Sequence, residues 1–221
     1  MTSKNNPVII PRNWFECWRD PKDFFCTAWE QIKPLTGSAP PQHIRDAYVA
    51  GLFARIWDYH SSCEVRLTDK RDEFPDAHLR EGKHTIDLEI VTADKYARQT
   101  WKEQKEILEK YKHGEFVPID CPEKRRDDAL EAIARVVKHK ATRHYSAPST
   151  LLVYLMIAQT PTVSYPLISV NEMALLTEPY KANFESIWVL CGLEDVRLWP
   201  DRKILGVPPC QDPFDCSRCA E

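Results

Sequence analysis

Eight consecutive apolar residues, Leu151 to Ala158, constrain this chain more than any other segment. The run is far short of the roughly 20 residues needed to cross a bilayer, and it suits a strand. A strand that is apolar at every position has no solvent-facing side. It must be buried on both faces, as in the middle of a sheet that carries helices above and below. The run therefore predicts an α/β fold with Leu151–Met156 as a central strand.

The preceding segments supply the cover and the other strands. Ile44, Tyr48, Leu52 and Ile56 recur at four-residue spacing, and Val49, Phe53 and Trp57 widen that face. Residues 43–60 therefore read as a helix buried on more than one side. Residues 63–69 read as a strand, and FPDAHL and HTIDLEIVTA as a hairpin closed by the glycine-containing REGK. Residues 95–113 carry a thin apolar stripe. Residues 126–144 form a stronger helix, with Leu130, Ile133, Val137 and Ala141 on one side. SIWVLC, 186–191, is a further strand, and VRLW, 196–199, an edge strand. A strand meander followed by a helical crossover into a buried strand predicts a mixed sheet flanked by helices.

Residues 1–42 read as a helical extension rich in aromatics plus a proline-rich linker, 43–205 as the main domain, and 206–221 as an irregular tail rich in cysteine and proline. At 43% apolar residues the bulk of the chain is expected to fold. The N-terminus, MTSKNNPVII, lacks the apolar stretch of a secretory signal, so cytoplasmic localisation and reduced thiols are expected. The net charge of −3 excludes a strongly basic DNA-binding domain. Basic residues do exceed acidic ones between Lys95 and Tyr145, so a polyanion would have to use a local patch.

The hairpin carries the chemistry. Side chains alternate along a strand, so Asp87 and Glu89 share one face, about 7 Å apart. With Arg80–Lys83 as a four-residue loop, Leu79 pairs with His84 and Asp76 falls opposite Asp87. Asp76, Asp87 and Glu89 then form a carboxylate cluster, and three such charges repel unless a cation lies between them. Oxygen-only ligands suit Mg²⁺ or Mn²⁺. The plainer alternative is an acidic, solvated strand face. His78 shares the face of Asp76 and reads as a polar edge residue. Cys210, Cys216 and Cys219 lie close in sequence, with a C-x2-C pair, but fall one short of a four-ligand zinc site unless Cys191 joins them. A tail of free thiols is the simpler expectation.

Pro75-Asp76, then Asp87-Leu88-Glu89, within this order of elements, resembles the PD-(D/E)XK nuclease superfamily across residues 43–158. The resemblance implies a restriction-endonuclease-like mixed β-sheet flanked by helices. It also implies a metal-dependent nuclease hydrolysing phosphodiester bonds, with DNA as the partner and a homo-oligomer left open. It makes Asp76 and Asp87 the metal-binding acids and puts Glu89 where the family has its lysine. Glu89 would then be a third ligand or a general base. A displaced positive charge would come from Lys138 or Lys83, and Asp46 would supply the acid that some members carry on the leading helix. Two other readings stay open: a non-catalytic relative that binds nucleic acid or a protein, and an interaction protein with a zinc-binding tail.

Overall fold

A computed structural model describes residues 10–32, 40–69, 74–93, 110, 113, 122–143, 149–155, 168–191, 194–200 and 203–206. The central strand of this fold is β4, Thr150–Leu155, where all six residues are buried. Alternate side chains serve opposite layers. Leu152 and Tyr154 join one hydrophobic core, and Leu151, Val153 and Leu155 join the other. Among the described residues, seven strands lie in chain order: β1 Glu64–Leu67, β2 Ala77–Glu81, β3 His84–Ala93, β4, β5 Ser186–Cys191, β6 Glu194–Trp199 and β7 Lys203–Gly206. Pairing is antiparallel through β1–β2–β3, parallel through β3–β4–β5, and antiparallel again through β5–β6–β7. The two parallel steps are the ones that carry helices between strands, as parallel connections require.

One face is covered by α1 Arg12–Phe15, α2 Pro21–Ile32 and α3 Gln42–Asp58. Ten residues of α3 are buried, and they run round most of its circumference. The cause is that α3 lies between the sheet and α2. Gly51 allows the approach of α2: a Cβ there would meet Phe25 Cα at 2.9 Å. Phe15, Phe24 and Phe25 belong to this same core, so the aromatic N-terminal segment, expected as a helical extension, packs with the main body as two helices.

The opposite face is covered by α4 Pro122–Ala141 and α5 Val170–Thr177, which is followed by a 3-10 turn, Glu178–Asn183. Arg126 and Glu172 pair between the two helices. No helix among the described residues is long and apolar enough to cross a membrane.

The structure differs from the sequence-based expectations in the sheet and after it as well. The β2–β3 loop has two residues, because Glu81 pairs with His84. Gly82, at φ 57°, takes the first position of the turn, where such tight hairpins need a positive φ. VRLW is not an edge strand, since β7 pairs outside it. The helix over 170–177 was not anticipated. The 95–113 segment lies almost wholly outside the described residues, and the cysteine tail entirely so.

Candidate active site

The two-residue turn moves the hairpin register by two positions from the expected one. Because the shift is even, every residue keeps its face, but partners change. His78 now lies opposite Asp87, and its Nδ1 is 2.8 Å from Asp87 Oδ1. Asp76 moves up beside Glu89. It sits just before β2 and brackets Glu89 from the neighbouring strand. Its backbone N–H donates to Leu88 O at 3.0 Å, and its Oδ2 accepts from Ile90 N at 2.8 Å. The expected three-acid cluster is therefore replaced by an Asp76–Glu89 pair, with Asp87 one step further along the strand and engaged with a histidine. Among the described residues, no group of three or more His, Cys, Asp or Glu side chains is arranged to hold a metal ion.

Glu89 is 2% exposed. A carboxylate in such a place needs a countercharge, and α4 provides it: Lys140 Nζ pairs with Glu89 Oε1, and Lys140 is itself buried. Lys138, two residues earlier on the same helix, faces solvent, and Lys83 is exposed in the turn. The cation that reaches the acids is thus Lys140. Sequence reading missed it, although a signal was present. Lys140 stands seven residues after Ile133 and three after Val137, on the apolar stripe of α4, where a lysine has no reason to be unless something inside the fold receives it.

Asp46, on the first turns of α3, comes close enough to feel Asp76 and Lys140. Burial pushes its pKa up to about 7, and the Asp76 charge pushes the same way, against Arg45, Arg12 and Lys140. The site therefore gathers a half-buried acid from α3, an acid beside β2, a buried acid on β3 and a buried lysine from α4.

In kind, though not in number, these donors are those a hard divalent cation takes. All the anionic donors are carboxylate oxygens, and Mg²⁺ commonly takes only one or two protein carboxylates and keeps its waters. Asp76 and Glu89 are the residues that would hold it. The described cysteines, Cys17, Cys26 and Cys63, are free thiols scattered away from this site. Cys210, Cys216 and Cys219 lie outside the described residues, as does the side chain of Cys191.

Beyond the acids, the same sheet face carries a cationic and aromatic group. Arg66 pairs with His78 across β1–β2, which places Arg66, His78 and Asp87 in one row across three strands. The Arg66 guanidinium lies 4.8 Å from the centre of the Trp18 ring and that of Arg80 4.3 Å from it, and the His78 ring is 6.3 Å away. Arg80 Nε also donates to Glu64 at 2.9 Å.

Comparison of the chain with protein-family models, with curated proteins and with solved structures found no match in any of the three.

Proposed function

We propose that the protein is a divalent-metal-dependent nuclease of the PD-(D/E)XK type that hydrolyses phosphodiester bonds in DNA. Asp76 and Glu89 are its metal-binding acids, and Lys140 provides the positive charge that the family's usual lysine would supply. The observation that carries this reading is the bracketing of Glu89 by Asp76 across the β2–β3 ladder, with Lys140 delivered to the same point from the crossover helix. An ion held by the two acids would lower the pKa of a bound water and offset charge on the phosphate under attack.

The residues of the chain divide the remaining tasks. With a divalent cation between them, Asp76 and Glu89 would hold the charge that draws and orients a phosphate. Lys140 offers its ammonium to developing negative charge, which is worth most in a site shielded from water. Asp46, with a pKa of about 7, can hold or release a proton at working pH, which is the condition for acid–base chemistry. His78 and Asp87 form a second polar pair one step along the strand.

A second reading has its own support. The Glu89–Lys140 pair is already neutral as it stands, which suits a non-catalytic relative that uses this sheet face to bind nucleic acid.

The test is cleavage of single- and double-stranded DNA, and of RNA, with Mg²⁺ or Mn²⁺. Wild-type protein is expected to cut, and chelation to stop it. Asp76→Asn is expected to lower cleavage by at least roughly 100-fold while the melting temperature holds, because the neutral amide is a far weaker ligand for a hard cation. A wild-type protein that binds no divalent ion and cuts none of these substrates removes the nuclease reading and leaves the non-catalytic one.

A further inference from the structure

Arg66 is the unexplained cation of the sheet face. Among the described residues no carboxylate pairs with it, in contrast to Arg80, whose guanidinium is taken by Glu64. Its Nε is buried without a hydrogen-bond partner. Its guanidinium rests against the half-buried Trp18 ring. A guanidinium resting against an indole keeps its N–H groups in its own plane and loses little freedom when it binds, so it is prepared for a planar, bidentate anion contact. Its position is equally specific. The Arg66–His78–Asp87 row lies one side-chain repeat, about 7 Å along the strands, from the Asp76–Glu89 pair, and Arg66 itself stands a further strand, about 5 Å, across from Asp76 and two strands across from Glu89. A backbone step of a nucleic acid strand is of that order.

We propose that Arg66, held by Trp18, is a phosphate anchor that binds the DNA backbone next to the phosphodiester presented to Asp76 and Glu89. This rests on the nuclease reading for the placement of the scissile bond, and on Arg66 itself for the binding. Anchoring here sets the register of the strand on the sheet. It carries no base preference, because phosphate contacts position the strand without reading its sequence. Trp18 acts by orienting Arg66. Arg80, fixed by Glu64, closes the other contact to the ring and keeps the indole in place.

The test measures binding of short fluorescein-labelled single-stranded DNAs of two sequences by anisotropy, in EDTA, across a salt series. Arg66→Ala is expected to weaken binding about tenfold for both sequences and to flatten the salt dependence by about one charge. Arg66→Lys keeps the charge and should restore the salt slope while recovering only part of the affinity. This second variant also guards against loss of fold in the first. Lys181→Ala, which removes the same formal charge on the 3-10 turn, is expected to bind like wild type. The proposal is overturned if Arg66→Ala binds with wild-type affinity and salt slope, if Lys181→Ala falls as far, or if wild-type protein binds no DNA. Cleavage measured in parallel separates the two readings. Loss of cleavage in Asp76→Asn with unchanged binding in Arg66→Ala removes the anchor alone. The expected Arg66 effects in a wild-type protein that never cuts remove the nuclease reading alone.

Discussion

An ammonium in the interior is tolerable only while a carboxylate faces it, and the converse holds for Glu89. Lys140→Ala leaves that carboxylate buried without its ammonium, so it is expected to cost about 3–5 kcal/mol, read as a lower denaturation midpoint. Mg²⁺ or Mn²⁺ should then raise the melting temperature of the variant more than that of wild type, because an ion bound only by the folded form stabilises it and here replaces a missing charge. Equal shifts in the two proteins would count against Glu89 as a ligand. The same neighbourhood makes Glu89→Lys harmful, since it would set two ammonium groups together beside the pair. Asp46 gives a pH signature. Its folded pKa of about 7 lies above its ordinary 3.8, so the folded form keeps a proton that the unfolded form releases. Stability from this group is therefore lost as pH rises between about 4 and 7. Asp46→Asn, which stays neutral, should melt higher than wild type at pH 8, by roughly 2–4 °C for each kcal/mol recovered, and the gap should close below about pH 4. A gap that widens at low pH would contradict the burial of this carboxyl.

At the scale of elements, α2 and α3 meet through a single missing side chain. Gly51→Ala puts a Cβ against the Phe25 backbone at 2.9 Å and the Phe24 ring at 3.1 Å, and a backbone cannot swing aside as a side-chain tip can. We expect a loss of about 1–3 kcal/mol by denaturant titration, against the gain that alanine gives in an open helix. The hairpin explains how far the site could be read from sequence. Alternation placed Asp87 and Glu89 on one face, and Asp76 joined them only through the assumed loop length. Their pairing depended on the turn, and REGK is compatible with a loop of four residues or of two. The first count sets Asp76 beside Asp87, whereas the second, which Gly82 adopts, sets it beside Glu89. Lys138 and Lys140 likewise differ only in helix phase, 200° apart at 100° per residue, so a boundary guess could not separate them although the apolar stripe could. The helix at 170–177 is short, but Ser169 and Glu172 form a capping box, a local signal that was present and unused. The unbroken run of β4 was readable because burial on both faces leaves no period to misjudge.

For the whole molecule, β4 is the plane where two cores meet. Leu152 faces the layer of α1–α3 and Leu151 the layer of α4 and α5. Leu151→Ala and Leu152→Ala should each cost about 2–5 kcal/mol. Because the layers share every central strand, both variants should still unfold in one step, with near-UV and far-UV circular dichroism tracing the same curve. Two separated transitions in either variant would mean that the layers are independent. The strand order has a consequence for how the molecule is made. From β1 to β7, each strand pairs with the one synthesised just before it. None of the described strands has to wait for a partner from the far end of the chain, and none has to be threaded between two already joined. As the polypeptide leaves the ribosome, the sheet can lengthen by one edge at a time, always on the side from which the next strand arrives. The acids and Arg66 all precede the end of β3, whereas Lys140 comes with the crossover helix that follows, so Glu89 is buried only when its countercharge has been translated.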